Sequence, residues 1–290
     1  MAGTAHVDDI TTPAGRRPEQ LGGSAVYFAL AAAGQATVHL NAVVGSDSAT
    51  AFDQLLAGAA VVADGLVVSE EPTCRWRARH DFGRWVAVDT SIDEGCDASW
   101  EPRLTPAAAG AEVLFLASMR PALQQAVLGQ SRARLVGADS MTDYTGPERE
   151  SVHEVAHACD VLFLNRAELA SLAGVPPTTW REAATGMCGV GRLRALVVKA
   201  GPDGASLVTR EGMVSRPAAP VGRVADPTGA GDALAGGFLA ACAAAERDDI
   251  DFFAHALDAG LQRAAAAISQ FGPGGLLPPL SPPATRGRGW

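Results

Sequence analysis

The chain has 290 residues, 48% of them hydrophobic and 19% charged, which is enough apolar content for a sizeable core and excludes a disordered chain. Its formal net charge is −9, with Asp+Glu 32 against Lys+Arg 23 and no basic block, so no nucleic-acid partner is expected. Lys199 is the only lysine, which rules out a Gly-Lys-Ser/Thr phosphate loop. Cys74, Cys96, Cys159, Cys188 and Cys242 are scattered and form no Cys-x-x-Cys pair, as in a reduced cytoplasmic protein. Asp8 and Asp9 stand where a secretion signal would be apolar. The longest weakly apolar run, Ala233–Ala245, is too short to span a bilayer, so no membrane association is expected.

The first residues leave little room for a full first strand; either that strand is short or the true start lies upstream. A helix is predicted over Ser24–Ala33, a strand over Ala36–Val44 and a helix over Ala49–Leu56. Cys74–His80 and Arg84–Thr90 read as two strands around the turn Asp81-Phe82-Gly83. This hairpin is more polar than the other strands and is expected outside the main sheet, as a lid over a site or as an ordinary edge hairpin. Beyond it, short apolar runs at Glu112–Ala117, Arg134–Asp139, Asp160–Asn165 and Arg194–Lys199 read as buried strands. Between them lie helical patterns at Pro121–Gln130, Glu148–Ala158 and Arg166–Ala173. Such alternation predicts an α/β fold: a doubly wound, mostly parallel sheet with helices on both faces. With no repeat and no long linker, residues 1–290 are expected to form one domain, the hairpin at about 72–92 being a subdomain. The Gly- and Pro-rich stretch Gly272–Trp290 is expected to be irregular.

The most informative segment is Asp226-Pro227-Thr228-Gly229-Ala230-Gly231-Asp232, which runs into the small-residue stretch Ala233–Leu239. A glycine-rich turn that opens into a helix points the N–H groups of Gly229, Ala230 and Gly231 forward as an anion site. Asp232 would sit beside the anion. Two readings apply: a general base for a hydroxyl attacking a phosphate, or a carboxylate that stabilises the first helical turn.

This segment resembles the C-terminal signature of the ribokinase (PfkB) family of carbohydrate kinases, Asp-Thr-x-Gly-Ala-Gly-Asp, with Pro227 at the usual Thr position. Leu21-Gly22-Gly23-Ser24-Ala25 and Val43-Val44-Gly45-Ser46-Asp47 resemble the family's N-terminal signature. Asn165-Arg166-Ala167-Glu168 is similar to its Asn-x-x-Glu, and Lys199-Ala200-Gly201-Pro202-Asp203-Gly204 to its Lys-x-Gly-x-x-Gly loop. The four pieces occur in the family's order. The resemblance implies a ribokinase-like fold with a small β-lid at the 72–92 hairpin. The implied activity is ATP-dependent phosphoryl transfer to a primary hydroxyl of a sugar or sugar-like acceptor, with a nucleoside acceptor as the alternative. It implies Asp232 as base, with Gly229, Ala230 and Gly231 as the anion hole. Asn165 and Glu168 would organise Mg²⁺ and phosphates through water. Lys199, Gly201, Gly204 and Thr228 would contact the nucleotide, and Asp226 would lie near a monovalent cation such as K⁺. Asp8, Gly22 and Gly23 would hold the acceptor, and two lids could pair in a homodimer.

The match departs from the family at Tyr27 and Phe28, which stand where many of its sugar kinases carry a substrate-binding Asn. Tyr27 would therefore reshape the acceptor pocket, and ribose is not assumed. A non-catalytic sensor on the same fold is the rival reading. Arg75, Arg77 and Arg79 share one strand face, which reads as a solvated charged face or as a phosphate or carboxylate site; Trp76 and Trp85 could stack on a ligand or on the hairpin itself. His153-Glu154-Val155-Ala156-His157 spells the His-Glu-x-x-His zinc pattern. On its helix, however, Val152, Val155, Ala156 and Cys159 form the buried stripe, which turns both histidines away from the core. Gly22–Val26 lacks the last glycine of a nucleophile elbow, and no Gly-x-Gly-x-x-Gly follows a first strand.

Overall fold

The computed structural model describes residues 1–243, 245 and 249–278. In chain order its elements are β1 (His6–Thr12), β2 (Gly15–Gly22), α1 (Ser24–Ala32), β3 (His39–Gly45), α2 (Ala49–Gly58), β4 (Val62–Ser69), β5 (Arg75–Asp81), β6 (Val86–Asp93), α3 (Pro106–Ala109), β7 (Val113–Leu116), α4 (Pro121–Leu128), β8 (Leu135–Asp139), α5 (Thr142–Thr145), α6 (Arg149–Ala158), β9 (Val161–Asn165), α7 (Arg166–Ala173), α8 (Trp180–Met187), β10 (Ala195–Lys199), β11 (Ala205–Thr209), β12 (Met213–Arg216), α9 (Ala230–Ala243) and α10 (Ile250–Ala267).

The main sheet runs β12-β11-β10-β9-β8-β7, with β7 to β10 parallel. The pair β3-β4 joins it through the first residues of the chain. Ala2 bridges both Asn41 and Leu116. Its N–H donates to Phe115 O at 3.0 Å and its carbonyl accepts from Ala117 N at 2.9 Å, while Gly3 N donates to Asn41 O at 3.1 Å. The slot between β3 and β7 is thus filled by Met1–Gly3.

Side chains alternate through the parallel strands and supply a core on each face. Phe115, Phe163 and Val197 pack with α1, α2, α9 and α10. Leu114, Leu162, Leu164 and Val198 pack with α4, α6, α7 and α8 on the other face. On the first face a chain of rings holds sheet to helices. Phe28 stacks on Phe115 at 4.2 Å, and Phe163 meets Phe115 and Phe238 edge-on at 6.1 and 5.4 Å.

Outside this sheet lies a second one, ordered β2-β1-β5-β6. The expected hairpin is there as β5 and β6, but it is half of a four-stranded sheet. Neither of its other two strands was expected in full: β1 buries Asp8 among apolar residues, and β2 carries Pro18 and charges, which suit an edge strand. The alternating arginines turn to the outer face and are paired within the protein. Arg79 bonds Asp89, Arg75 lies 2.7 Å from Glu19, and Arg77 is 4.0 Å from Asp9. This is the solvated charged face. At the far end, Gly272–Leu276 forms a 3₁₀ turn, and the rest of the Gly/Pro-rich tail from 279 lies outside the described residues.

Phe163→Ala removes the ring that joins β9 to both Phe115 and Phe238. A loss of about 3–5 kcal/mol in unfolding free energy is expected, read from urea denaturation.

Candidate active site

The site lies at the carboxyl ends of the parallel strands, where crevices form in doubly wound sheets. Asp139 ends β8, Asn165 ends β9 and Lys199 ends β10. The Lys199 ammonium lies 2.9 and 2.8 Å from the two Asp139 oxygens. Burial disfavours its charge, but Asp139 and Glu168 outweigh that and hold the ammonium well above the ordinary lysine range.

The glycine turn sits directly on this pair. A side chain added at Gly231 would begin 3.2 Å from Lys199 Nζ. Gly229 takes φ 73, and a Cβ there would overlap the Tyr27 ring, so only glycine fits. Of the three N–H groups expected at the anion site, that of Ala230 turns back to Pro227 O at 3.3 Å. The N–H of Gly231 is in the first turn of α9 and has no intrahelical acceptor. Asp232 is in that same turn and half-buried. Burial pushes its carboxyl up to about 8, Asp139 adding to the effect and Lys199 opposing it.

Asn165 and Glu168 form a capping box on α7. Asn165 Oδ1 accepts from the N–H groups of Ala167 and Glu168 at 2.8 and 2.9 Å, and Glu168 Oε2 accepts from Asn165 N at 2.7 Å. Both are therefore part of the scaffold. Burial raises the Glu168 carboxyl to about 7, against the pull of Lys199.

On the other side of Tyr27 lies Asp8, 2% exposed, with Oδ1 unpaired in the protein. Burial raises it to about 7, with His6 opposing. A Cβ on Gly22 would overlap the Asp8 carboxylate, and one on Gly23, at φ 94, would lie 2.5 Å from Thr4 O. Tyr27 is wedged between the two halves; burial and then Asp8, Asp226 and Asp232 raise its hydroxyl well above the usual range. Phe28, its neighbour, faces the core and stacks on Phe115.

Asp226 is 1% exposed and pins the turn, accepting from Thr228 N at 2.9 Å and Gly272 N at 3.1 Å. Thr228 Oγ1 lies 2.9 Å from His80 Nε2, which projects from β5 of the four-stranded sheet. Gly201 and Gly204 lie apart from the carboxylates, on the 3₁₀ turn after β10, and a Gly201 side chain would begin 3.9 Å from Trp85 Cβ at the turn between β5 and β6. Trp85 itself stacks on Phe82 within the hairpin, centroids 5.1 Å apart. Asp139, His6 and His80 belong to the site and were not singled out from sequence. The one available signal was the acid closing the apolar run Arg134–Asp139.

In the His-Glu-x-x-His pattern His153 Nε2 contacts Leu172 O at 3.0 Å, Glu154 accepts from Gln125 at 2.7 Å, and His157 is exposed. Among the described residues, the metal-capable His/Cys/Asp/Glu group is His6, Cys74 and Asp97, not this helix.

A family model described as pfkB family carbohydrate kinase matches residues 8–279. The chain belongs to the PfkB family of carbohydrate kinases. A cytidine kinase of Thermococcus kodakarensis is 26% identical over 247 residues, 83% of this chain and 86% of its own. The fold is ribokinase-like. The aminoimidazole riboside kinase from Salmonella enterica, solved with aminoimidazole riboside and an ATP analog, has a TM-score of 0.76 at 23% identity, covering 96% of this chain and 95% of its own. The fructokinase from Vibrio cholerae, bound to fructose, ADP and calcium ion, has a TM-score of 0.77 at 21% identity, covering 94% and 92%. No helix among the described residues is long and apolar enough to cross a membrane.

The raised carboxyls have a cost that pH reveals. Asp232 goes from an ordinary 3.8 to about 8 in the fold, so its contribution is full below about pH 4 and is lost as pH rises toward 8. Asp232→Asn is expected to melt above the ligand-free wild type at pH 8, by a margin that shrinks toward pH 4, in thermal scans across pH.

Proposed function

We propose that this PfkB-family kinase transfers the γ-phosphoryl group of ATP to a primary hydroxyl of a sugar or sugar-like acceptor, with Asp232 as general base. The observation that carries the reading is one juxtaposition. A half-buried carboxylate stands in the first turn of α9, beside a glycine turn, and across Tyr27 from the unpaired oxygen of Asp8. The acceptor lies with its hydroxyls on Asp8 against the Gly22–Gly23 backbone, and presents its primary hydroxyl to Asp232. The hydroxyl oxygen forms the new bond to phosphorus, the bond to the leaving ADP oxygen breaks, and Asp232 receives the proton. Gly229, Gly231 and the α9 dipole stabilise the charge on the transferred group, with Ala230 completing the turn.

Asp139, Glu168 and Asp232 surround a single lysine, an all-oxygen, anionic set that suits a hard cation. Glu168, with Asp139 beside it, would hold Mg²⁺ through water, and Asp226 would border K⁺. Mg²⁺, when bound, neutralises phosphate charge. Lys199, anchored beneath the turn, holds Asp139 in place and faces the phosphates, while Thr228, Gly201 and Gly204 border the nucleotide. The four-stranded sheet, including the 72–92 hairpin, acts as the lid. Two lids pairing along the exposed edge strand β6 would give the homodimer. Five free buried cysteines support a reduced, cytoplasmic setting. A nucleoside acceptor is the second reading, supported by the similarity to the cytidine kinase.

The test is ADP release from Mg-ATP against ribose, fructose, cytidine and inosine. Asp232→Asn is expected to lower kcat by about 10²–10⁴-fold with nucleotide binding retained. Normal turnover in that variant would remove Asp232 as base, and saturable binding without turnover in the wild type would favour the sensor. In the free wild-type enzyme, kcat/KM is expected to rise with pH up to about 8, as Asp232 loses its proton.

A further inference from the structure

His6, Cys74 and Asp97 meet beside the acceptor side of the lid, and the transfer step uses none of them. His6 Nε2 lies 3.1 Å from Asp97 Oδ2, and one ligating atom from each of the three residues falls within 4.8 Å of the others. Burial disfavours a charged His6, but its bonds to Asp97 and Cys74 outweigh that and keep it protonated well above the ordinary range.

Three observations place this group at the site. His6 stands two residues before Asp8 on β1, so both side chains share a face, about 6.4–6.8 Å apart along the strand. Trp76 pairs with Asp8 in the parallel ladder and points to that same face. Its half-buried ring meets His80 edge-on at 6.3 Å, and His80 reaches Thr228, so this face looks into the site. Finally, Arg120 donates to the carbonyls of Asp97 and Ala98 at 2.9 and 3.0 Å, while Ser118 O in the same loop lies 3.4 Å from Ser24 Oγ at the start of α1. Asp97 is thereby tied to the Gly22–Gly23 turn.

Asp8 Oδ1, the Tyr27 hydroxyl and Asp97 Oδ1 are buried without a partner in the protein, Asp8 and Tyr27 being 2% and 1% exposed. Carboxylate oxygens only accept, and a buried one left unpaired is costly, so the ligand must bring donors. It must bring them both at Asp8 and at Asp97, which is reached through His6 one strand repeat along β1, with the Trp76 indole beside Asp8 on the same face. A free sugar satisfies the Asp8 end alone. A sugar carrying a flat heterocycle with an amine satisfies both ends and uses the indole.

We propose that Asp97, positioned by His6, determines acceptor specificity by accepting a hydrogen bond from the exocyclic amine of a base, so that the acceptor is an amino-nucleoside whose ribose lies on Asp8. This builds on the kinase reading for the reaction but not for binding. The test is calorimetric titration of cytidine, uridine, adenosine, inosine and ribose into wild type and Asp97→Asn, with ADP release measured alongside. Cytidine is expected to bind more tightly than uridine, and adenosine than inosine, by about 10- to 100-fold, the range of one hydrogen bond to a charged group. In Asp97→Asn the amide can donate to the keto oxygen, so the preference is expected to vanish or reverse with ATP affinity unchanged. Amine-to-keto ratios near one in the wild type overturn the proposal without recourse to a variant. So does an unchanged ratio in Asp97→Asn, or ribose bound as tightly as the nucleosides. Stoichiometric zinc, retained by wild type and lost in Asp97→Asn, would make the cluster a metal site instead. The expected ratios without ADP release would overturn the kinase reading alone, and turnover of ribose without nucleoside binding would overturn this inference alone.

Discussion

The chain's single lysine is committed to one ion pair, and the site is arranged around it. Lys199 and Asp139 arrive at neighbouring positions because β8, β9 and β10 are parallel and end together. Glu168 comes from the cap of the next helix, and Asp232 from the first turn of α9. One ammonium cannot neutralise all three carboxylates, so the group is held short of positive charge. Buried ion pairs rarely add net stability, because desolvation offsets attraction. This one sets the electrostatic state of the crevice. The excess of acid keeps protons on carboxyls that would otherwise be ionised, until a cationic or anion-bridging ligand changes the balance.

Contiguous patterns were readable from sequence, and contacts between distant segments were not. Helix α7 was placed to the residue because Asn165 caps one end and Gly174, at φ 67, closes the other. The apolar runs of β7 to β10 were equally plain, since strands covered on both faces have no polar register. The turn Asp226–Asp232 was legible because it is one uninterrupted segment. Asp139 was hidden because its partner stands 60 residues away, and His80 because Thr228 stands 148 away. Strand β1 was not recognised at its full length for a chemical reason: Asp8 is buried within it, and a buried acid breaks the alternation by which strands are recognised.

The lid divides its chemistry between two faces. Outward it carries paired charges, Arg75, Arg77 and Arg79 answered by Glu19, Asp9 and Asp89. Inward it carries His6, Asp8, Trp76 and His80, the polar and aromatic groups that meet the site. Period-two alternation makes this possible, and it places the arginine stripe, so prominent in the sequence, on the face opposite His6, Asp8, Trp76 and His80. The same logic disposes of His153 and His157, whose helix spends its buried stripe on the core.

The hydrogen bond between His80 Nε2 and Thr228 Oγ1 joins the four-stranded sheet to the glycine turn. If that sheet closes over the site as the proposed lid, a ligand that steadies the contact from the sheet side also steadies the turn, and the reverse holds. Linkage is reciprocal, so the coupling must run equally in both directions. The two co-substrates would then bind with positive cooperativity, each tightening the other's grip by the same factor. An imidazole more than a hundred residues from the motif would be the point of exchange between them.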